Sequence, residues 1–282
     1  MSGAAPRVDA AAHCAEAVKA QDFPAYAATL FAEPGARRAL LALHAFAGEV
    51  ARVRDHVSQP LPGEIRLQWW SDALTGTDHG GVEGHPVAAE LRHAIAAFDL
   101  PIPQLSQLIE AWRGDLYGDA IPDLAALEAF IGDTSAVLVA LAARICQPQG
   151  EVPADLVHHA ALAEGLTQLV SLVPYHAARG RLYLPRDLLA LNGVTPEEVL
   201  AGAAPRGLRA VVAYLAGEAE RHLAAVSAPP RALRTALLPL ALARKTLERL
   251  RRVEFDPYRL EPVSHLGVLW TYWCADRLGR GL

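Results

Sequence analysis

The sequence predicts an all-α fold, and three observations predict it. Ala and Leu dominate a composition that is 52% apolar and only 6% aromatic, and good helix formers at that density favour helix over sheet. Turn-forming breaks recur at short intervals: "QPLPG" (59–63), "TGTDHGGVEGHP" (75–86), "LPIP" (100–103), "QPQGEVP" (147–153), "AGAAPRG" (201–207) and "APP" (228–230). The stretches between them have helical length and a three-to-four-residue apolar period, with no sustained alternation that would make a strand. The 282 residues can bury a sizeable core. No linker, repeat or low-complexity tract divides them, so one domain over 1–282, of roughly eight to twelve helices, is expected.

Residues 1–20, "MSGAAPRVDAAAHCAEAVKA", are expected to be loosely ordered. Asp9, Glu16 and Lys19 stand where a signal peptide needs an apolar run. The segment from about Gly35 to Val57 reads as a helix. Leu43, Phe46, Val50, Val53 and Val57 form its apolar stripe, and His44, Gly48, Ala51 and Asp55 lie on the next one. "DHGGVEGH" (78–85) carries metal-ligand residue types but is Gly-rich, which favours a loop. In "DLYGD", Asp115 and Asp119 stand one turn apart like a metal-binding pair. Gly118 indicates that the helix is ending, so a solvated terminus is expected.

The segment from about Asp155 to Val173 is a second informative helix. Leu162, Leu166, Leu169 and Val173 make one stripe, and Gly165, Gln168 and Leu172 the next. Around Leu169–Val173 it is apolar nearly all round and should be deeply buried; Pro174 then breaks or kinks it. Asp155 and His159 are an acceptable ligand pair, with His158 and Glu164 nearby. No further ligand follows at the usual spacing, so a polar helix entrance is expected. Residues 231–259 hold eight Lys/Arg against Glu248, Glu254 and Asp256, a solvated helix face or a surface for an acidic partner or anionic lipid. "LGVLWTYWCADRL" (266–278) gathers Trp270, Tyr272 and Trp273, most of which are expected in the core, with a docking patch beside the basic helix as the alternative.

Several function classes are disfavoured. A net charge of −5 argues against nucleic-acid binding. Three scattered cysteines, Cys14, Cys146 and Cys274, offer neither a disulfide framework nor a zinc site and suit a reducing compartment. No uncharged apolar stretch reaches the roughly 18–20 residues of a bilayer span. A cytoplasmic protein, with peripheral contact at the inner face of the membrane as an option, is therefore expected. Patterns for a dinucleotide fold, a P-loop and a nucleophile elbow are absent.

Two stretches carry a family resemblance. "ALLALHAFAGEVARVRDHVSQP" (39–60) resembles the first signature helix of the squalene/phytoene synthase family, approximately Y-A-F-C-R-x-x-D-D-x-x-D. "GLTQLVSLVPYHAARGRLYLP" (165–185) resembles the second, approximately Q-x-T-N-I-x-R-D-x-x-E-D-x-x-x-G-R-x-Y-L-P. "RLQWW" (66–70), "GHPVAAEL" (84–91) and "RRVEFDPY" (251–258) follow in family order. The resemblance implies an isoprenoid-synthase-like helical bundle with a central cavity, in which two prenyl diphosphates are joined head to head. Mg²⁺ neutralises the leaving diphosphate there, held by carboxylates one turn apart on two facing helices.

This chain departs from the pattern where that chemistry sits. Aligned on Ala45-Phe46, Ala51 and Arg52 take the paired aspartate positions, Gly48 takes the Arg position, and only Asp55 keeps a carboxylate. Counting back from Tyr183-Leu184-Pro185, Leu172 and His176 replace the two key aspartates. Tyr175 takes the neighbouring acidic position and Ser171 the Arg. A lone Asp cannot hold Mg²⁺, which dehydrates reluctantly. No metal and no cofactor are therefore expected, with Mg²⁺ needed only by an active enzyme. Asp55 is either a residual ligand or a carboxylate paired with Arg52 or another base. His176 is either a replacement acid, base or ligand, or a hydrogen-bonded structural residue. His44, Phe46, Gln168 and Tyr183 are expected to line the old cavity.

Within the family, "VRDHVS", the "PYH" of the second motif and "RRVEFDPY" look more like a degenerate branch, a mitochondrial assembly factor of NADH:quinone oxidoreductase (complex I). The resemblance implies a non-catalytic protein with protein partners in respiratory-complex assembly. The alternatives are a divergent head-to-head prenyltransferase and an isoprenoid- or lipid-binding protein that keeps the cavity without turnover.

Overall fold

The computed structural model describes residues 9–76, 84–226 and 229–278. Among them the regular structure is helical and there is no strand. The N-terminal half comprises α1 (Ala10–Gln21), α2 (Phe23–Thr29), α3 (Pro34–Ala51), α4 (Pro60–Thr75), α5 (Pro86–Phe98), α6 (Ile102–Asp115), α7 (Leu124–Ile131) and α8 (Val137–Cys146). The C-terminal half comprises α9 (Ala154–Ser171), α10 (Val173–Ala177), α11 (Arg186–Leu191), α12 (Pro196–Leu200), α13 (Arg206–Ala225), α14 (Arg234–Arg252) and α15 (His265–Leu278). These fifteen helices exceed the expected eight to twelve because α10, α11 and α12 are one- or two-turn pieces between Pro and Gly breaks. The Asp78, His79 and Glu83 side chains of the Gly-rich break lie outside the described residues.

The expectation of a loosely ordered N-terminus is corrected from residue 10 onward. Asp9 caps α1, its carboxylate accepting from the Ala11 and Ala12 N–H groups at 3.1 and 3.3 Å. Cys14 and Val18, one turn apart, are buried, and α1 packs on α3 and α5. An Ala-rich segment with one small apolar face docks as a helix once a neighbour covers that face.

α7 and α8 are joined by one π-turn, Gly132–Ala136, into a continuous helix over Leu124–Cys146. Its length and mean hydropathy of 1.7 would suit a bilayer span. In the fold it packs against α3, α6, α9 and α14, and Asp133 accepts from the Gln107 side chain at 2.8 Å.

α9 and α13 form the most extensive helix pair, and α9 also packs on α7, α8 and α14. The approach of α9 to the α7–α8 helix depends on Gly165, which is buried. A Cβ there would lie 2.7 Å from Ile131 Cγ2. Gly165→Val is expected to destabilise the protein by about 1–3 kcal/mol through overpacking, read as a lower urea midpoint at unchanged slope.

Candidate functional site

The candidate site is built by two chain reversals. α3 was expected to run to Val57 but ends at Ala51. Arg52 (φ −99, ψ 5) caps it, and a short 3-10 turn, Val53–His56, follows. Val57 (φ −130, ψ 141) and Gln59 (φ −137, ψ 150) are extended, as a chain entering Pro60 must be, because proline disfavours the helical region for its predecessor. On the other side, α9 stops at Ser171 and Leu172 (φ −96, ψ 8) separates it from α10. Pro174 has no N–H with which to continue α9. The His176 carbonyl then accepts from the Arg179 and Arg181 N–H groups, both at 2.9 Å. Gly180 closes this turn at φ +66, a conformation that costs glycine little.

These reversals bring Asp55 to Arg181. The Arg181 side chain is 7% exposed, and its Nη2 lies 2.8 Å from Asp55 Oδ1. Asp55 is exposed as a whole residue, yet its side chain keeps only 15% of its surface. Arg179 Nε approaches the same oxygen at 3.8 Å, with its guanidinium 3.6 Å above the exposed Tyr175 ring. Beside this pair, Arg54 Nη1 lies 3.1 Å from Asp115 Oδ1. The Tyr183 hydroxyl donates to that oxygen at 2.9 Å. Tyr183 stacks on Phe130 at 5.7 Å and meets His176 edge-on at 4.8 Å.

Three guanidiniums and two carboxylates thus share one cluster. Burial, then the neighbouring Arg181, depress the His176 pKa to about 4, against a smaller opposing pull from Asp55. Burial and then Asp115 push the Tyr183 hydroxyl upward. The space enclosed by Leu169, Val173, His176 and residues 181–184 measures only about 10 Å³, room for one water at most.

The residues present do not fit a Mg²⁺ cluster. Asp55 is neutralised by Arg181, Leu172 supplies no donor, and His176 supplies nitrogen where a hard cation wants oxygen. The surrounding excess of guanidinium charge would repel the ion. Asp55 is paired with a base, as one of its two readings proposed, but the base is Arg181. Arg52 instead donates to the Gln21 side chain, and its guanidinium passes 3.4 Å from where a Gly48 Cβ would stand.

The Asp115 expectation is corrected. Its side chain is only 7% exposed and belongs to the cluster, because Arg54 and Tyr183 reach it from 61 and 68 positions away. Among the expected cavity residues, Tyr183 borders the small enclosed space. Phe46 is a fully buried core residue, edge-on to Trp70 at 4.9 Å. Gln168 is exposed on α9, and His44 is partly accessible on α3. A separate cleft of about 400 Å³ is lined by Gln21, Glu49, Arg52, His56, Arg66 and Trp69, among others. Sequence reasoning missed this cleft, although "RLQWW" marked one wall of it.

Two predictions follow the geometry. Asp55→Ala leaves the buried Arg181 guanidinium unpaired and is expected to cost about 3–5 kcal/mol. Adding Arg181→Leu to that variant should recover much of the loss in a denaturant titration. The His176 shift adds a pH dependence. Its folded pKa of about 4 lies below the unfolded value of about 6.5, so the unfolded chain takes up the proton first. The stability tied to His176 is complete above the unfolded pKa and is lost as pH falls toward 4. His176→Gln should therefore lose less melting temperature than the wild type between pH 7 and 4.

Comparison with known proteins places these features. The chain is 26% identical over 266 residues to human "NADH dehydrogenase (ubiquinone) complex I, assembly factor 6", covering 92% of this chain and 80% of that protein. It is 27% identical over 201 residues to presqualene diphosphate synthase of Rhodopseudomonas palustris, covering 71% of each. The crystal structure of a dehydrosqualene synthase in complex with ligand superposes with a TM-score of 0.78 over 97% of both chains, at 20% identity. This confirms the expected isoprenoid-synthase-like all-α fold. The model of the squalene/phytoene synthase family matches residues 18–273, and the chain belongs to that family.

Proposed function

We propose that this protein is a non-catalytic member of its family that assists the assembly of a respiratory NADH:quinone oxidoreductase, working from the cytoplasm at the inner face of the membrane. The observation that carries this reading is the ion pair between Asp55 and Arg181 at the place where the family resemblance implies a metal-binding carboxylate. Similarity to complex I assembly factor 6 over most of the chain supports the assembly role. For membrane or partner contact, the support lies on α15. Tyr272 is buried there, but Trp270 and Trp273 are 63% and 43% exposed, against the expectation that most of these aromatics pack inside. The two indoles stack at 5.2 Å, beside the exposed Leu266. α14 packs on α15 and carries the exposed Arg244 and Arg252. Exposed indoles on one helix and exposed arginines on the helix packed against it suit the headgroup level of a bilayer with anionic lipid.

A second reading, an isoprenoid- or lipid-binding protein, is favoured by the 400 Å³ cleft. Arg52, Arg66 and His56 offer cationic or polar contacts to an anionic head, and Trp69 and Trp70 offer an apolar wall.

Purified protein with Mg²⁺ and farnesyl or geranylgeranyl diphosphate is expected to release no pyrophosphate beside an active synthase. Turnover would overturn the non-catalytic reading. In cells lacking the gene, assembled NADH:quinone oxidoreductase on native gels is expected to fall and to be restored by the wild-type chain. Restoration by a Trp270→Glu/Trp273→Glu variant should be poorer at an unchanged melting temperature. Undiminished oxidoreductase in the deletion would sink the assembly role.

A further inference from the structure

At the other end of α9, three histidines converge that neither the ion-pair cluster nor the cleft uses. His158 and His159 lie in the first half of α9, about 18 Å of helix from its C-terminus, and His222 lies in the last turn of α13. One ring nitrogen from each falls within 4.8 Å of the others. His159 Nδ1 and His222 Nδ1 are 2.9 Å apart. The ring centroids are 5.1 Å apart for His158 and His159, 5.8 Å for His158 and His222, and 5.1 Å for His159 and His222.

Two imidazole nitrogens this close must either share one proton as donor and acceptor or direct both lone pairs at a common cation. Donor nitrogens at about 2.0–2.1 Å from a tetrahedral zinc ion stand about 3.3 Å apart, near the 2.9 Å between His159 and His222. The third histidine turns a hydrogen-bonded pair into a set of three borderline-soft donors, which suits zinc, nickel or copper and not magnesium. His158 is exposed and the other two are partly buried, which leaves solvent a path to the ion. The nearest cation, Arg221, is drawn to Glu218.

We infer that His158, His159 and His222 form a binding site for a divalent transition-metal ion of the zinc class, held by three imidazoles with a fourth position open to water or an exogenous ligand. The ion would pin α9 to α13, the most extensive helix pair in the molecule. Occupancy would add stability in proportion to the logarithm of free metal over the dissociation constant.

The test uses full-length, untagged protein stripped with a chelator and titrated with Zn²⁺ in a calorimeter. Co²⁺ serves as the spectroscopic probe and Mg²⁺ as the control. One Zn²⁺ per chain, a melting temperature raised by Zn²⁺ but not by Mg²⁺, and visible ligand-field bands with Co²⁺ are expected. His158→Ala changes an exposed side chain and keeps the fold, checked by circular dichroism. It should weaken Zn²⁺ binding on the order of tenfold or more, and His222→Ala should weaken it further. Failure to saturate at one equivalent, or Zn²⁺ binding unchanged in both variants, would overturn the site and mark any bound metal as adventitious. The assembly proposal stands or falls separately, since it uses none of these residues.

Discussion

A guanidinium withdrawn from water to the extent of Arg181 requires a counter-charge, because burying an unpaired ion costs several kcal/mol. Asp55 supplies that charge at 2.8 Å, and the local architecture follows from bringing the two together. α3 has to end at Ala51 so that the 3-10 turn can present Asp55. α9 has to break at Leu172 so that α10 and the Gly180 turn can present Arg181. The second pair, Arg54 with Asp115, extends the constraint to the end of α6. Tyr183 carries it back to the segment that holds Arg181. Three separate parts of the chain are held in register by five charges and one phenol.

The arrangement also bears on how the charges of this family member are balanced. In the reaction that the family resemblance implies, carboxylates gather hard cations against a diphosphate. Here the positive charge is built into the chain as Arg54, Arg179 and Arg181, and both carboxylates are already paired with it. Leu169 and Val173 stand beside them, and the space they border with His176 and residues 181–184 measures only about 10 Å³. What stays open is the neighbouring cleft, where Arg52, at a position where the resemblance implies an aspartate, turns toward Gln21.

Much of the fold could be read from the chain because helical period, Pro and Gly breaks and capping residues are local signals. The stripe Leu43, Phe46, Val50 and Val53 is buried, and the helix break at Leu172 falls just before Pro174. The misreadings share one cause. Asp115 resembled a solvated terminus because Arg54 and Tyr183 are distant in sequence. α1 resembled a loose end because its face is small and its partners, α3 and α5, follow later. Trp270 and Trp273 were assigned to the core by residue type alone, whereas the helix turns them outward when Tyr272 turns in. His222 was not joined to His158 and His159 because 63 positions separate it from His159.

By itself the sequence determined the all-α class, the approximate positions of the two signature helices and the absence of a carboxylate at 51, 172 and 176, since each depends on residue identity at a fixed local spacing. Only the tertiary structure decided which charges pair, that Asp115 joins Asp55 among the arginines, and that three histidines meet between α9 and α13. Those outcomes depend on which helices pack together. Packing is settled by burial over the whole chain and leaves no signature within any one segment.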